Sequence, residues 1–195
     1  MKTAALALSA LIAAAGTPAL AGRVADGSFE SPKVKDGGVK GFAPGAALGD
    51  WTVTGTGGTV ILTSTDYTHK GFSFGAKDAL QWLNLAGGVG MGVQQTVSVK
   101  ASTNYQVTLY VGSVYQAKGQ YGKSSSVNLY LNGGLFGTCT FNAVNNGSMA
   151  QQWSSQPCTT TVQVGGNKLT IALQNADPAG DSDCGVDLVD IKEVD

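Results

Sequence analysis

Apolar and polar positions alternate with a period of two along most of this chain, which is the signature of half-buried β-strands. The clearest run is 105–111, where Tyr105, Val107, Leu109 and Val111 share one side. Val93, Gln95, Val97 and Val99 do the same over 93–99, and 127–131 alternates again before Asn132-Gly133, a strong hairpin signal. Shorter runs at 51–53, 59–63, 80–85, 136–141, 158–164 and 169–173 are separated by Gly- and Asn-containing turns. The closing stretch sets Val186, Leu188, Ile191 and Val194 among Asp187, Asp190 and Lys192. No segment beyond the first twenty-one residues keeps a helical period. About ten short strands with frequent turns predict a single all-β sandwich.

Residues 22–32 form a turn-rich opening with Val24 and Phe29 as core candidates, and 36–49 a loop. Residues 67–76 form a loop carrying His69, Phe72 and Phe74, and 112–126 a flexible insertion holding Tyr115 and Tyr121.

Residues 1–21 stand apart. Lys2, the apolar run 4–15 and Ala19-Leu20-Ala21 have the layout of a secretory signal peptide, and the run is too short to span a bilayer. The expected domain is therefore 22–195, with no membrane span. Because the chain stops at Asp195 without a terminal anchor, the protein is expected to be secreted, either extracellular or periplasmic. Charged residues make up only 13% and the formal net charge is −1, which leaves no basic face for nucleic acid.

Three cysteines are present. In an oxidising compartment the reading favours Cys139 with Cys158, each in a Thr-rich strand-like stretch, a bridge involving Cys184 being the alternative. Zinc is not expected, since no C-x-x-C pair exists and His69 is the only histidine.

Carboxylates are unevenly placed. All thirteen lie in 26–78 or 177–195, and none falls between Ala79 and Ala176. If the first and last strands meet, the two groups converge, and Glu30, Asp187 and Asp190 become candidates for a structural calcium site. The plain alternative is that these acids keep the surface soluble. Asp181 and Asp183 are read as solvated loop acids.

Catalytic machinery looks thin. A triad would have to use His69, no G-x-S-x-G elbow exists, and no central acid flanks a cleft, so the chain reads as a non-enzyme and His69 as an ordinary loop residue. Sugar recognition combines an aromatic platform with amide groups. Trp82, Tyr115, Tyr121 and Tyr130, with Asn84 and Asn128, are the candidates, while Trp51 and Trp153 look like core.

Several segments together resemble the domain-of-unknown-function 642 family. They are Asp26-Gly27-Ser28-Phe29-Glu30-Ser31-Pro32, Trp51-Thr52-Val53, Leu80 to Leu85, Val93 to Val97, Tyr105 to Leu109, and Cys184-Gly185 through Asp190-Ile191. Val186 and Val189 depart from that family's closing motif. The resemblance implies a galactose-binding-like jelly roll, a calcium held by Glu30 and Asp190, and a cell-wall polysaccharide context. The expectation is thus a secreted, non-catalytic carbohydrate-binding module with a polysaccharide or glycan partner. The alternative is a structural or protein-interaction sandwich without a sugar site.

Overall fold

The computed structural model describes residues 22–116, 118–177 and 183–195. The signal-peptide assignment at 1–21 and the acid Asp181 lie outside these residues. Fifteen strands and no helix occur among the described residues. In chain order they are β1 (Val39–Phe42), β2 (Ala47–Leu48), β3 (Trp51–Thr54), β4 (Val60–Ser64), β5 (Thr68–His69), β6 (Phe72–Ser73), β7 (Gln81–Asn84) and β8 (Gly92–Ser98). They continue with β9 (Thr103–Ser113), β10 (Ser124–Leu131), β11 (Gly134–Asn142), β12 (Gln152–Trp153), β13 (Cys158–Val164), β14 (Lys168–Asn175) and β15 (Gly185–Val194). No helix among the described residues is long and apolar enough to cross a membrane.

Two antiparallel sheets face each other. The front sheet runs β1-β4-β7-β15-β9-β12, with β13 also pairing β9, and the back sheet runs β11-β10-β14-β8-β3-β2. The predicted alternation becomes this sandwich because one side of each strand is apolar. Val107, Leu109 and Val111 from the front meet Leu129, Leu173 and Val93 from the back in one core. Burying a side chain of this size contributes roughly 1.5–3 kcal/mol, so such a layer outweighs any local preference of a short strand.

The ends of the chain meet as the sequence suggested, but in the middle of a sheet. β15 lies between β7 and β9, and the Val189 amide donates to the Gly27 carbonyl at 2.8 Å. A Cβ at Gly27 would stand 2.0 Å from the Val189 carbonyl oxygen, so this approach requires glycine. Opposite β9, β15 shifts register between Asp187 and Asp190, and Leu188 takes a positive φ of 52°. That bulge corrects the simple alternation read from sequence. Val186, Val189 and Ile191 face the core, whereas Leu188 is only half-buried.

The disulfide joins Cys139 and Cys158, with Cα atoms 5.8 Å apart, and so ties the outermost back strand β11 to β13 of the front sheet. Cys184 is free and buried, and burial raises its thiol pKa well above the usual range.

Candidate functional site

The outer side of the front sheet carries a second apolar cluster, separate from the sandwich core. β7 generates it by alternation: Leu83 belongs to the core, while Trp82 and Asn84 point outward. The β5–β6 hairpin and the segment leading into β10 fold over this side. They bring Phe72, Phe74, Val114 and Tyr121 onto Trp82, with Tyr67 and Trp153 packed alongside. Trp82 donates its indole N–H to the Phe74 carbonyl at 2.8 Å, and Trp153 donates to the Gly75 carbonyl at 2.9 Å. Neither indole is left with a buried polar group unsatisfied.

Trp153 lies close against the sheet because two strands present no side chain beneath it. A Cβ at Gly112 would be 2.6 Å from its ring, and one at Gly185 would be 3.1 Å away. The Trp82 and Trp153 rings then meet edge to face at 5.7 Å.

Between the hairpin, Gln120 and Tyr121 of the segment before β10, and the sheet lies a cavity of about 190 Å³. Tyr67, Phe74, Trp82 and Tyr121 supply aromatic walls, and Val39 and Ile61 supply aliphatic ones. His69, Thr63, Asn84 and Gln120 supply polar groups. A cavity of this order holds one ring-sized group, since an apolar cavity of roughly 150 Å³ admits benzene. His69 stacks on Tyr67, and its Nδ1 shares a hydrogen bond with the Tyr121 hydroxyl, the donor being set by the histidine tautomer. Burial raises the Tyr121 pKa, with Tyr67 and Asp183 adding to the effect, so the phenol keeps its proton. The Lys70 ammonium donates to Gln120 Oε1 at 2.7 Å, tying hairpin and overlying segment together a second time.

Two buried acids stand near this cluster. Asp183, expected to be solvated, is fully buried and accepts the Val114 amide at 2.7 Å. With its side-chain amide turned to satisfy both neighbours, Gln151 donates to the same carboxylate at 3.0 Å. Asp187 lies one residue beyond the β15–β7 pairs Gly185–Asn84 and Val186–Leu83, and it too is fully buried. It accepts the amides of Lys77 and Asp78, each at 3.0 Å, and that of Leu188 at 2.8 Å. Desolvation outweighs these bonds and pushes its pKa up to about 7. Lys77 holds its ammonium 4.5 Å from the Tyr110 ring centre and donates to the Ser154 carbonyl at 3.3 Å.

Of the residues singled out for sugar recognition, Trp82, Asn84 and Tyr121 come together at the cavity. Tyr115 is half-buried and does not line it. Tyr130 sits on the back sheet, its hydroxyl donating to Gln174 Oε1 at 3.2 Å. Sequence reasoning passed over His69, Tyr67 and Phe74. The available signal was the spacing of Tyr67 with His69 and of Phe72 with Phe74, two residues apart on either side of Lys70-Gly71, which reads as a small aromatic hairpin. Trp51 is core, as expected, but Trp153 belongs to the outer cluster.

The calcium set does not fit one ion. Glu30 is occupied by the amides of Leu80 and Gln81, both at 3.0 Å, Asp187 by three amides, and Asp190 stands exposed. Among the described residues no group of three His, Cys, Asp or Glu is placed to hold a metal ion.

Residues 21–192 match the HpiC1-like family, described as HpiC1 cyclase. The chain belongs to the HpiC1-like family. This corrects the resemblance drawn to the domain-of-unknown-function 642 family. The motifs behind that resemblance are the opening turn, the core strands and the closing strand, which mark an architecture shared by unrelated functions. It also overturns the reading as a non-enzyme, because the HpiC1-like family takes its description from a cyclase. Nothing among curated proteins matches the chain.

Among solved structures, the HpiC1-like chain is similar to TmCBM61 in complex with β-1,4-galactotriose. The identity is 12% and the TM-score 0.50, over 89% of this chain and 99% of that one. A family 35 carbohydrate-binding module from Clostridium thermocellum aligns at 12% identity and a TM-score of 0.45, over 80% of this chain and 99% of the module. The fold is therefore the jelly-roll sandwich seen in carbohydrate-binding modules.

Proposed function

We propose that this protein is a cyclase that closes a ring in an unsaturated small molecule within the aromatic cavity of the front sheet. The observation that carries the reading is the His69–Tyr121 hydrogen bond inside an aromatic-walled cavity of one-ring size. Family membership supports the reaction class.

The chemistry follows from the lining. Histidine is the side chain suited to exchanging a proton near neutral pH. Tyr121 keeps its hydroxyl hydrogen and orients the ring. His69 in its protonated form delivers a proton to one end of a substrate double bond. A second double bond of the same molecule supplies the electron pair for the new carbon–carbon bond. The resulting cation returns a proton to His69, so the product is an isomer of the substrate. Tyr67, Phe74 and Trp82 present ring faces that stabilise positive charge, by roughly 0.5–2 kcal/mol each when desolvated.

The test is incubation with a panel of acyclic and aryl-substituted dienes, followed by chromatography with mass detection. The expected product has unchanged mass and one double bond fewer, and it fails to form with His69→Ala. Absence of any such isomer from folded protein across the panel overturns the reading.

A second reading takes the ring in the cavity to be that of a sugar. It is favoured by the galactotriose held by the structural neighbour and by the presence of Asn84 beside Trp82. In either case the protein acts outside the cytoplasm, a reading supported by the leader-like residues 1–21 and the Cys139–Cys158 bridge.

A further inference from the structure

The outer face of the back sheet carries almost no charge. On the front sheet β15 sets Asp190 and Lys192 out to solvent, while Asp187 is buried. Along all six strands of the back sheet the one charged residue is Lys168, at the start of β14. Exposed sheet faces normally carry Lys and Glu for solubility and against edge pairing, so their absence over a whole face needs a reason.

What stands there instead is an array of hydroxyl and amide groups joined across strands. Thr138 on β11 donates to Asn128 on β10 at 2.7 Å, Tyr130 donates to Gln174 on β14 at 3.2 Å, and Thr96 on β8 bonds Thr170 on β14 at 2.8 Å. Phe136, the extra residue where β11 shifts register opposite Leu129 and Tyr130, adds an aromatic ring that is 44% exposed.

We propose that the outer face of the back sheet is a docking surface for a neutral, hydroxyl-rich polysaccharide, on the opposite side of the sandwich from the cavity. A neutral partner offers no countercharge, so any Lys or Glu beneath it would be desolvated without compensation. Thr, Asn and Gln instead exchange bonds with water for bonds with sugar hydroxyls at little cost. The rings of Tyr130 and Phe136 suit the apolar face of a pyranose. Cross-strand bonds already hold the polar side chains, which lowers the entropy lost on binding. This inference does not depend on the cyclase reading, since no residue of the cavity takes part in it.

The full chain is mixed with microcrystalline cellulose, insoluble xylan and starch granules, and the bound fraction is read by depletion of protein from solution. Retention on at least one polymer, unchanged in high salt, is expected. The double substitution Thr96→Lys with Thr138→Lys, on two exposed positions, lowers the partition about tenfold or more. Phe136→Ser serves as an independent variant, with circular dichroism confirming the fold of each. Tyr121→Phe leaves retention intact. The proposal is overturned by a lack of retention on all three polymers, by equal retention of folded lysine and serine variants, or by retention that disappears with Tyr121→Phe.

Discussion

The His69 imidazole and the Tyr121 hydroxyl, 52 residues apart in the chain, share one hydrogen bond across the cavity of the front sheet. That bond joins a two-strand hairpin to the segment entering β10, so it both closes the cavity and sets the histidine ring. Tyr121→Phe removes the hydroxyl while keeping the edge-to-face packing on Phe72 and Phe74, at 5.3 and 5.2 Å. Ring-closing activity is expected to fall by about 10²-fold or more, the usual scale for losing a proton-transfer partner. The melting temperature should hardly move. Comparing both single variants with the double variant checks the coupling: if the residues act as a pair, the double loses little beyond the worse single.

Asp187 makes stability depend on pH. Its carboxyl, raised by burial from 3.8 to about 7, is protonated in both the native and the unfolded chain below about pH 4. Between about 4 and 7 the unfolded chain releases the proton first, so stability falls as pH rises, and above about 7 the loss is complete. The full effect is at most roughly 4 kcal/mol. Asp187→Asn keeps an oxygen for the Lys77 and Asp78 amides and does not ionise. Urea unfolding at pH 5 and pH 8 should show a smaller difference for the variant than for the native chain.

Gly112 is required by Trp153. Gly112→Ala places a Cβ 2.6 Å from the ring, which cannot move without losing its contact with Trp82. A loss of about 1–3 kcal/mol is expected, as for other overpacked positions. Tryptophan fluorescence during denaturant unfolding measures it and reports the displaced indole directly.

The Cys139–Cys158 bridge closes a separation of 19 residues and should contribute about 3 kcal/mol. Reduction, or replacement of both cysteines by serine, should lower the unfolding midpoint accordingly. Cys184 should resist thiol reagents until the chain unfolds, because it is fully buried and its thiol is held protonated. Non-reducing peptide mapping with alkylation before and after denaturation checks both points.

Strand positions were legible because alternation is local: Tyr105, Val107 and Leu109 declare an inward face whatever the partner strand is. The Asn132-Gly133 turn could be read for a similar reason, since it depends on neighbours close in the chain. The bulge at Leu188 could not be read. Its extra residue is tolerated only because β9 and the Gly27 carbonyl fix what lies on either side.

By itself, then, the amino-acid order determined an all-β chain with a two-sided core and offered Trp82, Asn84, Tyr115, Tyr121 and Tyr130 as binding groups, of which Trp82, Asn84 and Tyr121 line the cavity. What surrounds them depends on segments that meet when the chain folds. His69 reads as an ordinary loop histidine until folding places it against Tyr121, and Asp183 as a solvated loop acid until it is buried on the Val114 amide. Asp187, a calcium candidate in the sequence, is buried against the Lys77 and Asp78 amides. The physical reason is that burial and proton affinity belong to a site assembled from segments far apart in sequence, whereas strand periodicity belongs to a few consecutive residues.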